Sequence, residues 1–230
     1  DPACPLCGYP ASPRPAAAQT ADLVIVNGVS NTVTVYRGMP QGAFGARIDY
    51  AVGQTPLSVA IGDVTGDTRL DIAVANSVSN TVTILVGGIL GTGVNGTAVT
   101  VPTGTGPNTV VIGDLNGDGV NDLVTASTAA DSVSVLRGDP AGGPFTRTDL
   151  PTFDQPLGLA LGDLNKDGKL DLVVTTFGTP LANVFLNVNG DLVQGTSQAV
   201  GNNAVAVRIG DFDMDSASDI AVAHSTSALI

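Results

Sequence analysis

One Asp-rich phrase occurs four times in the chain, and its spacing constrains the fold more than any other feature. Each copy begins with Gly-Asp and has aspartate as its last residue; the copies are residues 62–71, 113–122, 162–171 and 210–219. The leading aspartates, Asp63, Asp114, Asp163 and Asp211, are 51, 49 and 48 residues apart. A repeat of this length indicates a series of similar supersecondary units and not one irregular core.

Each repeat also contains short apolar segments of the length expected for β-strands. Around Asp63 these segments are residues 57–62, 71–75, 81–86 and 97–101, and Gly, Asn and Ser separate them. Such segments favour β-sheet and are too short for packed helices. The strong helix formers Glu and Lys are scarce, since the chain has no Glu and only two Lys. We therefore predict an all-β fold.

Four short antiparallel strands in a repeat of this length are typical of one blade of a β-propeller. A β-solenoid coil is usually shorter than this repeat, and a β-sandwich domain is longer. The pattern therefore predicts a β-propeller of four-stranded antiparallel blades.

The Asp-rich phrases place oxygen-bearing side chains at alternate positions. Counted from the leading aspartate, side-chain oxygens stand at positions 1, 3, 5 and 9, and position 7 offers a backbone carbonyl. Hard oxygen ligands in a tight turn suit Ca²⁺, which binds about six to eight oxygens. The predicted ligands are Asp63, Thr65, Asp67, Arg69 and Asp71 in loop 1 (residues 63–71); Asp114, Asn116, Asp118, Val120 and Asp122 in loop 2 (residues 114–122); Asp163, Asn165, Asp167, Lys169 and Asp171 in loop 3 (residues 163–171); and Asp211, Asp213, Asp215, Ala217 and Asp219 in loop 4 (residues 211–219).

Repulsion between the carboxylates makes a loop without a cation unfavourable. Two carboxylates about 4 Å apart repel by about 4 kcal/mol at an effective dielectric constant near 20. The loops hold 13 of the 21 aspartates, and four Ca²⁺ ions would change the formal net charge from −12 to −4. We therefore expect up to four Ca²⁺ sites.

Loop 1 is the weakest of the predicted sites. Thr65 stands at position 3, where loops 2 and 3 have Asn, and Thr68 replaces the glycine of position 6. A sharp turn at position 6 favours glycine with positive φ, which Gly119 and Gly168 supply. Loop 4 is the most acidic.

Other interpretations of the loops fit less well. An EF-hand needs Glu at position 12 and flanking helices, but Val74, Thr125, Val174 and Val222 stand there. Catalytic carboxylates need two acids in different environments, whereas these are four similar copies, so no enzyme activity is expected. Mg²⁺ is the alternative ion, although it prefers fewer protein ligands and more water.

The Gly-Asp approach, the Asp-x-Asn-x-Asp-Gly-x-x-Asp loop and the apolar strand after it resemble the FG-GAP or VCBS repeat of integrin-α-type β-propellers. The resemblance covers about residues 22–223. It implies that the loop residues at positions 1, 3, 5 and 9 bind Ca²⁺ between blade strands, and that the protein is extracellular or lies at the cell surface. Such repeats occur in adhesion receptors, secreted surface proteins, lectin-like proteins and modules of extracellular enzymes.

The first and last repeats depart from this pattern. Asp22 aligns with position 9, but Arg14, Ala16 and Ala18 stand where its loop should begin, and the last repeat stops after its second strand. We therefore predict about five repeats in residues 21–230: strands two to four of one blade, three complete blades, and strands one and two of a last blade. The Pro-rich residues 1–20 are predicted to form an extended tail.

Three function classes remain. The first is an extracellular structural or adhesive protein that contacts other proteins. Incomplete blades leave strand edges free, which allows three arrangements: the two ends close on each other, the chain is part of a longer propeller, or copies of the chain join head to tail in a filament. The second is a carbohydrate-binding module, although the few aromatic residues do not recur with the repeat. The third is a non-catalytic module of a secreted enzyme. A net charge of −12 disfavours nucleic acid, and no apolar run is long enough for membrane insertion.

Four smaller features remain open. Cys4 and Cys7 fit a disulfide, two reduced thiols, or metal or redox chemistry. Asn95 heads an Asn-Gly-Thr glycosylation triplet. The Ser-Asn-Thr segments at residues 30–32 and 79–81 are predicted to be turns, with a repeated contact surface as the alternative. The sequence predicts no nucleophile that would act with His224, which is therefore interpreted as a surface or packing residue.

Overall fold

A computed structural model of the protein describes residues 21–87 and 98–225, so Cys4, Cys7 and Asn95 lie outside the described residues. The described part forms five antiparallel sheets of two to five strands, which confirms the all-β prediction. Its two 3-10 turns are Pro40–Gly42 and Thr128–Ala130. None of the described helical segments has the length and hydropathy needed to cross a bilayer.

The sheets follow one another along the chain. Sheet 1 contains β1 (Leu23–Asn27), β2 (Thr32–Gly38) and β3 (Phe44–Ala51); sheet 2 contains β4 (Pro56–Gly62), β5 (Asp71–Asn76), β6 (Thr81–Leu85) and β7 (Ala98–Pro102); sheet 3 contains β8 (Pro107–Gly113), β9 (Asp122–Ser127), β10 (Ser132–Arg137) and β11 (Thr146–Pro151); sheet 4 contains β12 (Pro156–Gly162), β13 (Asp171–Thr176), β14 (Leu181–Val188), β15 (Asp191–Gln194) and β16 (Gln198–Ala199); and sheet 5 contains β17 (Ala204–Gly210) and β18 (Asp219–His224). Sheets 2 and 3 have the predicted four strands. In sheet 4 the outer position is shared by two short strands, because both β15 and β16 pair with β14.

Consecutive sheets pack on each other through apolar layers. Four clusters of buried apolar side chains each join two neighbouring sheets. One pair from each of the four clusters illustrates this: Val33 and Ile72, Ile84 and Leu123, Val124 and Phe185, and Val173 and Val207. The second strands β5, β9 and β13 are buried along their whole length. A strand covered on both faces reads as a continuous apolar run, which explains why these segments lack the alternation of a half-exposed strand.

The Ser-Asn-Thr segments are hairpin turns. Asn31 and Asn80 have φ of 57° and 56°, and Asp131 takes the same conformation in sheet 3 with φ of 47°. Their side-chain Oδ1 atoms accept the backbone N–H groups of Thr55, Gly106 and Gln155 at 2.8, 2.9 and 2.9 Å. Each turn therefore fixes the segment that leads into the next sheet, which confirms the turn interpretation.

Candidate metal-binding loops

The four Asp-rich loops connect the first and second strands of sheets 2 to 5, and they share one set of hydrogen bonds. The position 6 N–H donates to Oδ2 of the position 1 aspartate at 2.7, 2.9, 2.8 and 3.0 Å in loops 1 to 4. The position 7 N–H donates to Oδ1 of the position 5 aspartate at 2.9, 2.8, 3.0 and 2.6 Å. The aspartates at positions 1 and 5 are therefore held at one end of the sheets in four similar copies.

This conformation requires a positive φ at two positions of each loop. Position 6 has φ of 67°, 88°, 81° and 66°, at Thr68, Gly119, Gly168 and Ser216. The predicted positive φ at position 6 is therefore confirmed, and Thr68 and Ser216 adopt it despite their side chains. Position 4 has φ of 73°, 75°, 62° and 65°, at Gly66, Gly117, Lys166 and Met214. The sequence analysis missed position 4, although the glycines in loops 1 and 2 were a visible signal.

The position 9 aspartates have a structural role that the sequence analysis did not foresee. Asp71, Asp122 and Asp171 are 0% exposed. Their Oδ2 atoms accept the position 2 N–H of their own loop at 2.9, 3.1 and 2.9 Å. Their Oδ1 atoms accept the N–H of Gly87, Gly138 and Asn187 near the end of the third strand, at 2.5, 2.9 and 2.8 Å. Each of these aspartates therefore ties its loop to the third strand of its sheet.

Burial and backbone hydrogen bonds act in opposite directions on the loop carboxylates. Burial raises the pKa of Asp122, and the N–H groups of Gly138 and Leu115 and the guanidinium of Arg137 only partly oppose this. At the half-buried position 1 of loop 3, the N–H of Gly168 and other loop N–H groups lower the pKa of Asp163. Positions 1 and 9 thus present their carboxylates to very different surroundings.

Loops 2 and 3 offer only oxygen atoms to a cation. The side-chain amides of Asn116 and Asn165 donate to Oδ2 of the position 5 aspartates Asp118 and Asp167 at 2.8 and 3.2 Å. In the described part of the chain, no Lys or Arg pairs with the aspartates at positions 1 and 5 of these two loops. The donor set fits a hard divalent ion.

Loop 4 places three carboxylates within reach of a single ion. Ligand oxygens of Asp211, Asp213 and Asp215 all lie within 4.8 Å of one another, and the three side chains are exposed. Asp219 at position 9 is half-buried and accepts the N–H of Phe212 at 2.9 Å. Three negative charges at this separation repel one another strongly, so the arrangement favours a bound cation.

Loop 1 fits a divalent ion least well, because a positive side chain already pairs with one of its carboxylates. Arg69 at position 7 donates from Nε and Nη2 to Oδ2 of Asp67 at 3.0 and 2.5 Å. The guanidinium of Arg69 lowers the pKa of Asp67. At position 3, the hydroxyl of Thr65 donates to Oδ2 of Asp71 at 3.1 Å. The sequence predicts only a backbone carbonyl ligand from Arg69, and the ion pair becomes visible only in the structure.

Neighbouring loops are connected through the sheets. The side-chain amide of Asn121 donates to the carbonyl of Asp63 in loop 1 at 2.7 Å. The buried amide of Asn187 donates to the carbonyl of Leu115 in loop 2 at 2.7 Å. Loop 1 is thus held by a residue of loop 2, and loop 2 is held by a residue of sheet 4.

His224 does not belong to the four loops. It closes β18, and its Nδ1 lies 3.0 Å from the carbonyl oxygen of Asn202. This contact accounts for the imidazole as a structural side chain. The expectation that the protein has no catalytic site stays a prediction.

Two solved structures have a similar fold. A functionally unknown protein from Desulfotomaculum acetoxidans matches with a TM-score of 0.54 and 18% sequence identity, over 92% of this chain and 63% of that chain. BBS1N, crystallised in complex with ARL6DN and soaked with lead, matches with a TM-score of 0.57 and 13% identity, over 90% of this chain and 64% of that chain. The chain therefore spans less than two thirds of the length of either structure, and at these identities the likeness concerns the fold alone.

The Asp-rich loops also lie within the segments that match a protein-family model. No curated protein sequence matches the chain. The family model of the FG-GAP-like repeat matches residues 19–74, 63–125 and 114–174, and the second and third matches each run from one Asp-rich loop through the next. Because these matches together cover more than half of the chain, the protein belongs to the family of FG-GAP-like repeat proteins.

Proposed function

We propose that the protein is a non-enzymatic β-propeller module of the cell surface or extracellular space, that Ca²⁺ stabilises it through loops 2, 3 and 4, and that it makes structural or adhesive contacts with other proteins. The observation that carries this proposal is the recurrence of one oxygen-rich loop, with the same hydrogen bonds, at the same place in consecutive sheets. Repetition of one loop conformation suits a scaffold better than an active site.

The packing of the sheets supports a propeller. Each pair of consecutive sheets encloses an apolar layer. The first strands β4, β8, β12 and β17 neighbour one another in that order. Both features are expected when similar blades are arranged around a common axis. FG-GAP repeats, which this chain contains, are typical of extracellular or surface proteins, and this supports the proposed location.

The donor atoms support Ca²⁺ as the ion. The residues that would hold it are Asp114, Asn116, Asp118 and Asp122 in loop 2; Asp163, Asn165, Asp167 and Asp171 in loop 3; and Asp211, Asp213, Asp215 and Asp219 in loop 4, with the carbonyls of Val120, Lys169 and Ala217. A bound ion would neutralise clustered carboxylates and lock the loop. Many protein oxygens per loop favour Ca²⁺ over Mg²⁺, which keeps more of its water.

Measurement of unfolding with and without Ca²⁺ tests the metal sites. At a Ca²⁺ concentration a hundredfold above the dissociation constant, each site adds about 2.7 kcal/mol to the free energy of unfolding. We expect the melting temperature to fall strongly in EDTA and to recover when Ca²⁺ is added back. Asp118→Asn should remove one bound ion, whereas Asp131→Asn, an equal change of charge in a hairpin turn, should remove none. Identical melting curves in Ca²⁺ and EDTA would refute the proposal.

Self-association is a second candidate, and the last sheet favours it. The equivalent strands β5, β9 and β13 are fully buried, whereas β18 has only half-buried and exposed residues. A strand that is not fully covered can contact a strand of a second copy of the chain. Light scattering after size exclusion should then give a mass that rises with concentration, and electron microscopy should show chains of particles. A constant mass of one chain would exclude a filament.

A further inference from the structure

We propose that loop 1 binds no divalent cation, because the guanidinium of Arg69 supplies the positive charge that an ion supplies in the other loops. The inference rests on the proposed function only for the comparison with loops 2 to 4. Its direct support is the set of contacts within loop 1.

Arg69 occupies both oxygens of the position 5 carboxylate. Its backbone N–H donates to Oδ1 of Asp67 at 2.9 Å, and its Nε and Nη2 both donate to Oδ2. In loops 2 to 4, position 7 is Val120, Lys169 or Ala217. In the described part of the chain, these residues contact the position 5 aspartate of their loop only through their backbone N–H. The side-chain contact is therefore a property of loop 1.

A guanidinium in this place opposes the binding of a metal ion. A divalent ion about 4 Å from a unit positive charge binds about 30-fold more weakly even at the dielectric constant of water, and the factor grows as the dielectric constant falls. Counting position 9, loop 1 has three aspartates and one arginine, whereas loop 4 has four aspartates and no basic residue. Loop 1 therefore attracts a cation far less than loop 4.

The basic residue beside loop 2 is placed differently. Arg137 lies 3.4 Å from Oδ2 of Asp122 at position 9, and it also donates to the carbonyl of Gly190 in the next sheet. It thereby leaves the carboxylates of Asp114 and Asp118 without a basic partner in the described part of the chain. A positive side chain near a loop thus opposes an ion when it pairs with the position 5 carboxylate, as Arg69 does with Asp67.

Loop 1 departs from the other loops at two more positions. Position 3 is Thr65, whose hydroxyl is directed to Oδ2 of Asp71. Position 6 is Thr68, which holds a φ of 67° that glycine would adopt more easily. Even so, the bonds from positions 6 and 7 have the same pattern as in loops 2 to 4. Loop 1 therefore has the same backbone conformation as the other loops, with a guanidinium bonded to its position 5 carboxylate.

The number of bound Ca²⁺ ions tests the inference. Native mass spectrometry and calorimetric titration should count three ions on the wild-type chain and four on Arg69→Gln. Lys166→Gln is the matched control, since it removes a positive charge from loop 3 at position 4, which supplies no predicted ligand, and it should still bind three. Arg69→Lys keeps the charge and should also bind three. Four ions on the wild type, or an unchanged count in Arg69→Gln, would overturn the inference.

Unfolding in EDTA tests the role of Arg69 without any metal. Arg69 is exposed and Asp67 is half-buried, so the contribution of this ion pair is modest. Arg69→Gln should lower the melting temperature by about 2 °C, whereas Lys166→Gln, which breaks no ion pair in the described part of the chain, should leave it unchanged. If the wild type binds no Ca²⁺ at all, the proposed function fails, and this comparison still decides the role of Arg69. Equal melting temperatures of the two variants in EDTA would show that Arg69 does not stabilise loop 1.

Discussion

Replacing the buried Asp171 with asparagine tests whether the position 9 aspartates hold the loops independently of metal. The carboxylate is 0% exposed. Its Oδ2 accepts the N–H of Leu164 at 2.9 Å, and its Oδ1 accepts the N–H of Asn187 at 2.8 Å. Asparagine has only one acceptor oxygen, so Asp171→Asn sets an NH₂ group against a backbone N–H.

The expected cost follows from these two bonds. A buried donor left without an acceptor costs about 1–3 kcal/mol, and the surviving bond loses its charge-assisted part of about 1 kcal/mol. A neutral amide costs less to bury than a carboxylate, which offsets part of this destabilisation. We therefore expect the free energy of unfolding to fall by about 2 kcal/mol. For a chain of this size, such a loss lowers the melting temperature by about 4–8 °C.

The assay is thermal and urea unfolding followed by circular dichroism in EDTA, so that metal binding contributes nothing. Asp131→Asn is the control, because it makes the same chemical change in an exposed turn. At the equivalent turns of sheets 1 and 2, the amide oxygens of Asn31 and Asn80 already accept the corresponding N–H groups. The control should change stability by less than about 0.5 kcal/mol. If both variants melt within about 1 °C of each other, the reasoning about position 9 is wrong.

Three further predictions concern strain, pH and the core. Thr68→Gly should raise the free energy of unfolding in EDTA by about 0.5–1 kcal/mol and Gly119→Ala should lower it by about 1 kcal/mol, because both positions have positive φ; urea titration measures both. The side chain of Arg147 lowers the pKa of Asp149, so this carboxylate stabilises the fold above its ordinary pKa of 3.8 and loses that effect as the pH falls below it; Asp149→Asn should therefore flatten the acid limb of the stability profile. Phe185 is 2% exposed, and Phe185→Ala should cost about 3–5 kcal/mol in urea unfolding.

The strands and turns were predictable from the sequence because their signals are local. Apolar segments separated by Gly, Asn and Ser mark the strands, and Asp131 replaces Asn31 and Asn80 at the same turn because each tolerates positive φ. The alternation of oxygen-bearing residues in loops 2 and 3 likewise shows which side chains share a turn.

The loop chemistry was predictable only in part. The sequence predicts position 9 as a ligand like positions 1 and 5, because all three carry the same carboxylate, and this stays a prediction; the additional structural role of position 9 does not follow from the sequence. Only the paired strands show that Asp71 is enclosed and bonded to Gly87, sixteen residues later. In loop 1, the spacing of Asp67 and Arg69 allowed the ion pair, but the turn of the loop decides that the two side chains meet.

The sequence by itself determined the repeat length, the all-β character and the set of loop oxygens, because each depends on residues within one turn or one strand. The tertiary structure decided which carboxylates are buried and which face solvent, and which sheet each loop is tied to. Strand register and the packing of neighbouring sheets bring together residues such as Asn187 and Leu115, which are 72 positions apart. No spacing within a single loop encodes such contacts, because their partners lie in other strands and other repeats.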